Sequence, residues 1–175
     1  MAMPPELEAA YNAQVTMEYG AAYSYLGMSA WFEAEGLPGM AAWMRAQSAE
    51  ELTHAYRFLE FVLDRDGKVE LGPISAPAFD FATPLDVFRQ ALAQEQAVTA
   101  SINDIYALAL GAKDFASNSL LDWFVAEQVE EEASVQQIID DLVRAGDAGR
   151  QHGVAPEDCP VLRPPTRLWD SGVRS

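Results

Sequence analysis

Five glutamates and a histidine occupy positions where a helical protein keeps its apolar core. One run of core-type spacing reads Tyr11, Glu18, Tyr25 and Phe32; a second reads Met40, Met44, Gln47, Glu51, His54, Phe58 and Phe61. A third reads Leu85, Phe88, Leu92, Glu95, Thr99, Ile102 and Tyr106, and a fourth Leu120, Phe124, Glu127, Glu131, Val135, Ile138 and Leu142. Steps of three, four and seven place side chains on one face of a helix. Every run is therefore interrupted by glutamate near its middle, and His54 joins Glu51 at i+3 on the same face. A buried carboxylate costs several kcal/mol unless it is paired or binds a metal. Arg45, Arg57 and Lys113 fall off these runs, so basic partners are lacking. Protonation or bound cations remain, and several carboxylates with one imidazole form a ligand set for Fe, Mn or Zn.

The elements that must carry these residues are marked by sparse punctuation. A proline-free segment runs from about Glu6 to Ala34 and is broken by Gly36 and Pro38, the latter suited to the first turn of a second helix. That helix spans about Gly39 to Asp66 and stops at Gly67, expected as its C′ glycine. Thr83 and Pro84 read as N-cap and first position of a third helix ending near Gly111. Asp114 is expected to cap a fourth that ends around Gly146.

Short connections make the first and second helices, and the third and fourth, antiparallel hairpins. The 67–83 connection is long. Its roughly 17 residues can span up to about 56–60 Å when extended, whereas a helix of ~28 residues is about 42 Å long. It can therefore return along the whole bundle. The expected fold is all-α: a four-helix bundle over residues 1–146 with one long crossover between helices two and three. An irregular tail is expected over 147–175, where Pro156, Pro160, Pro164 and Pro165 allow at most a stub of a fifth helix.

Composition narrows the function classes. The chain has 175 residues, half of them apolar, with 27 acidic against 11 basic residues and a net charge of -16. It is one domain by length. Unaided binding to nucleic acid or an anionic membrane needs a basic footprint that is absent, so neither partner is expected. No run approaches the ~20 apolar residues of a membrane span. The one cysteine, Cys159, allows no internal disulfide, and with no visible signal segment the expected location is the cytoplasm. The acidic excess reads either as a solvated surface or as a protein that handles hard cations.

Taken together, Glu18 with Tyr25, the run Ala49-Glu50-Glu51-Leu52-Thr53-His54, Glu95 within Gln94-Glu95-Gln96, and Glu127-Gln128-Val129-Glu130-Glu131-Glu132 resemble the ferroxidase motifs of prokaryotic non-haem ferritins. The resemblance spans about Leu7 to Gly146 and implies the ferritin-like four-helix bundle. It implies a first iron held by Glu18, Glu51 and His54, with Glu51 bridging to a second held by Glu95 and Glu131. Glu50, Glu127, Glu130 and Glu131 resemble an additional third-iron site, and Gln128 a weak ligand or supporting glutamine. Tyr25 resembles the tyrosine beside the pair that donates an electron or a hydrogen bond. Fe(II) and O₂ or H₂O₂ would be the reactants, and a homo-oligomeric shell of 24 subunits would store the product. No haem is expected.

One departure matters. Helix four reads Glu127-Gln128-Val129-Glu130, without the second histidine of bacterioferritins and rubrerythrin-like proteins. That favours an asymmetric site whose second iron is held by oxygen alone. It counts against the alternative of a diiron oxidase or peroxidase with a permanently bound cofactor. A helical scaffold with incidental acidic residues would not place glutamate in all four runs. Glu132 and His152 are expected at the surface, and Trp31, Trp43, Trp123, Met28, Met40 and Met44 as packing residues.

Overall fold

The computed structural model describes residues 3–152, and side chains within 3–146. Four helices account for most of that span: α1 Pro5–Ala34, α2 Pro38–Asp64, α3 Pro84–Gly111 and α4 Asn118–His152, with a 3-10 turn, Phe115–Ser117, leading into α4. The architecture is the all-α four-helix bundle expected, with strands absent among the described residues. None of the described helices is long and apolar enough to cross a membrane.

Helices α1 to α3 all end in the same way, and only one of the three ends uses glycine. The N–H of Leu37 bonds Phe32 O, that of Gly67 bonds Val62 O and that of Asp114 bonds Ala109 O, each at 2.9 Å. These are the six-to-one bonds of a Schellman motif. The left-handed residue is Gly36 (φ 73°) in the first, but Asp66 (φ 57°) and Lys113 (φ 57°) in the others. The C′ position after α2 is thus Asp66, one residue before the expected glycine. Gly67 serves a different need: a Cβ there would lie 2.9 Å from Val62 O and 3.1 Å from Glu8 Oε2.

Asp114 precedes the 3-10 turn as its cap residue, yet its carboxylate binds no backbone N–H. It accepts both guanidinium nitrogens of Arg65, at 2.7 and 3.1 Å, and the Ser117 hydroxyl at 2.6 Å. The expected cap is therefore a clamp joining the end of α2 to the α3–α4 turn. At the other end, α4 continues past Gly146 to His152. Glycine within a helix costs only about 1 kcal/mol and does not end it. Residues 153–175 lie outside the described residues, and with them most of the expected tail and its fifth-helix stub.

Thr83 and Pro84 begin α3 as expected, the Thr83 hydroxyl oxygen accepting the Asp86 N–H at 3.2 Å. The crossover lies along α1 in a fixed register. Asn12 Nδ2 donates to Lys68 O at 2.8 Å, Asn12 Oδ1 accepts Glu70 N–H at 2.7 Å, and Thr16 Oγ1 accepts Gly72 N–H at 3.0 Å. Further along, Phe81 meets Trp31 edge-on at 5.8 Å. The crossover so returns the chain to the far end of the bundle, and α3 starts there. Asn12→Ala is expected to lower stability by about 1–3 kcal/mol, because it strips partners from part-buried backbone groups. Denaturant unfolding would show the loss, and limited proteolysis would cut within 67–83, while metal binding stays unchanged.

Serines tighten the α1–α2 seam. Ser29 donates to Ala41 O and Ser48 to Ala22 O, both at 2.8 Å. The buried face of α3 sits slightly earlier than the spacing predicts. Val87, Ala91, Val98, Ile105 and Ala109 are buried, and Leu85, Leu92, Thr99 and Tyr106 form a half-buried edge. This buried set belongs to the same two core clusters as Tyr11, Val15, Tyr25 and Met28 of α1.

Candidate metal centre

The apolar core is divided in two. One cluster holds Tyr25, Phe32, Met44 and Phe88; the other holds Tyr11, Phe58, Ile102 and Phe124. Between them lies a polar layer contributed by all four helices. Gln14 and Glu18 come from α1, Gln47, Glu51 and His54 from α2, Glu95 from α3, and Gln128 and Glu131 from α4. None is more than 6% exposed. The helical steps noted in the sequence bring these residues to one height, since each helix enters the layer at its middle.

Within the layer, three of the four carboxylates have their own amide donor. Gln14 Nε2 donates to Glu18 Oε1 at 2.7 Å, Gln47 Nε2 to Glu131 Oε2 at 3.1 Å, and Gln128 Nε2 to Glu95 Oε2 at 3.3 Å. Glu95 also accepts the Tyr25 hydroxyl at 2.5 Å. Glu51 instead faces His54, with Nδ1 and Oε2 3.3 Å apart. Two buried oxygens, Glu18 Oε2 and Glu51 Oε1, have no hydrogen-bond partner. The ion pairs Arg45–Glu33, Arg65–Asp114, Lys68–Glu70 and Arg89–Asp86 all involve other carboxylates. An orphaned carboxylate oxygen in a buried layer is costly, and a cation would satisfy both orphans.

Two groups have ligand atoms within 4.8 Å of one another: Glu18, Glu51 and His54, all buried, and Glu50, His54, Glu127 and Glu131. Glu50 and Glu127 are half-buried, so the second group reaches toward solvent. Glu95 stands outside both groups, and so does Glu130, which is exposed. Gln128 is buried beside Glu95, and Tyr25 is fully buried with its ring 6.3 Å from Trp43.

Burial and crowding of like charges set the electrostatics. Burial, then Glu51, holds the Glu18 carboxyl well above the usual carboxylate range. Burial with Glu95 and Glu131 does the same to Glu51, and burial raises Glu95. Glu131 is pushed up to about 9 by burial and then by Glu50, Glu95 and Glu127. Burial and the neighbouring Glu95 push the Tyr25 hydroxyl well up, keeping it a donor. Burial thus disfavours the ionised form of each carboxylate, a cost that positive charge would offset.

Sequence reasoning singled out Gln128 but gave Gln14 and Gln47 no role. Gln14 lies one turn before Glu18 on the same helical face, a signal that was present and went unused. Glu132, expected as solvated surface, is half-buried: its Oε1 accepts the Thr99 hydroxyl at 2.6 Å. Thr99 also accepts from Gln128 at 3.3 Å, and these three residues line a cleft between α3 and α4 together with Ile102, Val125 and Val129. Trp123, expected as packing, is half-buried with its ring 5.6 Å from His54, and the Arg57 guanidinium lies 4.0 Å over it.

Comparison with known proteins agrees in fold and in extent. The ferritin-like domain family matches residues 8–145. A protein named bacterial non-heme ferritin from Bacteroides fragilis is 40% identical over 144 residues, covering 82% of this chain and 91% of its own. One of the same name from Staphylococcus epidermidis is 39% identical over 142 residues, covering 81% and 86%. Among solved structures, an open pore ferritin from Archaeoglobus fulgidus superposes with a TM-score of 0.82 at 38% identity, covering 85% of this chain and 92% of that one. An iron-soaked variant of PmFTN gives 0.82 at 35% identity, covering 90% and 99%.

Proposed function

The chain belongs to the ferritin family, and on that premise we propose that it stores iron and oxidises Fe(II) to Fe(III) within each subunit. The observation that carries the reading is the pair of unpartnered buried oxygens, Glu18 Oε2 and Glu51 Oε1, beside His54. Fe(II) is the substrate that these groups are suited to take up.

In this reading Glu18, Glu51 and His54 hold the first Fe(II). Glu51 is shared with a second, to which Glu95 and Glu131 turn. Glu95 keeps capacity for it, because a carboxylate oxygen that accepts one hydrogen bond retains a lone pair. Gln128 steadies Glu95 and is a weak ligand at most. Tyr25 donates its hydroxyl hydrogen to Glu95 and so holds that carboxylate beside the pair. Two Fe(II) supply two electrons to O₂, which with two protons becomes H₂O₂; H₂O₂ as oxidant becomes water. The protons displaced from the neutral carboxyls on iron uptake are available for that reduction.

A third, weaker position is proposed at Glu50, Glu127, Glu130 and Glu131, on the solvent side of the pair. With no second histidine, α4 offers the outer irons oxygen alone, and they exchange more readily. Storage needs a shell, proposed as 24 copies of the chain. Exposed Tyr23 and Leu26 on α1, with Leu71, Ile74 and Phe79 on the crossover, support self-association through an apolar face.

Anaerobic loading with Fe(II), then oxygen, then counting of iron retained per subunit tests the reading. Storage predicts far more iron than there are ligands. About two irons per subunit would favour a resident diiron cofactor instead, and none would remove the function altogether.

A further inference from the structure

We propose that Gln14, itself oriented by Ser101, is a positioning residue that makes Glu18 a one-oxygen ligand for the first iron. This deepens the reading above and rests on it for the identity of the metal. Gln14 is fully buried, although no charge or metal group identifies it. Its Nε2 donates to Glu18 Oε1 at 2.7 Å, and its Oε1 accepts the Ser101 hydroxyl at 2.5 Å. The chain Ser101–Gln14–Glu18 thus runs from α3 to α1 and ends at a carboxylate whose other oxygen has no partner.

An amide can be turned end for end, and the two ends act in opposite ways. With nitrogen toward Glu18 it stabilises the ionised carboxylate; with oxygen toward Glu18 it repels the ion and suits only the protonated acid. The structure has the first arrangement, and the Ser101 hydroxyl supports it by donating to Gln14 Oε1. It does so before any cation arrives, so no reorientation is required on binding. With Gln14 engaging one lone pair of Oε1, the unpartnered Oε2 is the oxygen freer to take the metal, beside Glu51 and His54. Groups that orient a ligand in this way contribute about 10–100-fold to metal affinity.

Co(II) titrated anaerobically into the full-length protein, followed by calorimetry and by its visible absorption bands, is the test. Gln14→Met keeps the volume and removes both ends of the amide. It is expected to weaken the tighter Co(II) by about 10–100-fold and to change its absorption spectrum. Ser101→Ala should weaken it in the same direction by less. The double variant should match Gln14→Met alone, because Ser101 acts through Gln14. Wild-type affinity and spectrum in Gln14→Met would overturn the proposal, and so would additive losses in the double variant. If Gln14→Met fails to fold, Ser101→Ala decides, an unchanged affinity and spectrum being the overturning result. Failure of the storage reading looks different: wild-type protein would bind Co(II) with this Gln14 dependence yet retain no excess iron after Fe(II) and oxygen. Wild-type protein that binds no Co(II) would overturn both.

Discussion

Glu51→Ala is expected to slow the first oxidation of two Fe(II) per subunit by about a hundredfold or more, roughly 3 kcal/mol in the barrier. It should exceed the effect of any other single replacement in the layer. Glu51 is the carboxylate on which the others converge. It is 1% exposed, its Oε2 faces His54 at 3.3 Å, and its Oε1 is unpartnered. After burial, Glu95 and Glu131 are the charges that most strongly raise its pKa, with Glu50 contributing, and Glu51 in turn raises Glu18. One side chain is therefore felt from α1, α3 and α4, as a bridge between two metals must be. Its removal takes a ligand from each proposed iron and leaves His54 without its facing carboxylate. Glu51→Gln keeps the packing but not the charge, and it should be nearly as slow, which separates loss of a ligand from collapse of a cavity. Stopped-flow absorbance at two Fe(II) per subunit reads both. Near-normal initial rates in Glu51→Ala would remove Glu51 from the centre of the mechanism.

The sequence revealed the parts of this molecule governed by backbone chemistry and by period. Proline at the first turns of α2 and α3, the cap at Thr83 and the length of the crossover each act locally, so single residues disclose them. The four interrupted runs were legible because a glutamate among core positions has few explanations. Other features depend on what lies across a seam. Asp66 at the left-handed position and Gly67 against Val62 and Glu8 follow from how closely the crossover turns over α1. Asp114 becomes a clamp only because the end of α2 brings Arg65 to it. The half-burial of Glu132 depends on the width of the α3–α4 cleft, which the angle around one helix does not convey. Gln14 and Gln47 were the largest omission, since a glutamine in a buried run carries no charge to demand an explanation. Their role appears only with geometry, where Gln14, Gln47 and Gln128 each meet a different carboxylate.

The metal-free protein is expected to lose stability as pH rises from about 5 to 9, and a divalent cation should reverse the loss. In the unfolded chain Glu18, Glu51, Glu95 and Glu131 titrate near the ordinary glutamate value of about 4.3. In the folded chain all four are raised, chiefly by burial and for Glu51 and Glu131 next by neighbouring carboxylates, with Glu131 at about 9. A group raised on folding contributes stability that is fully present below its unfolded pKa. That contribution is lost as pH climbs toward the folded value, because the unfolded chain ionises freely and the folded one does not. Acid loss comes from groups shifted the other way: Asp114, lowered by Arg65, gives up its contribution as pH falls below about 4. The thermal midpoint of chelator-treated protein should therefore peak near pH 5 and fall toward pH 9, by an amount equivalent to several kcal/mol. A bound cation takes the place of the protons and favours the ionised carboxylates, so its stabilising effect should grow across the same window. At a hundred times its dissociation constant it adds about 2.7 kcal/mol. Thermal unfolding at pH 5, 7 and 9, with chelator and with Co(II), measures both trends. Metal-free protein that grows more stable between pH 5 and 8 would mean that basic groups or water already compensate the four carboxylates, and that the layer is not built to receive a cation.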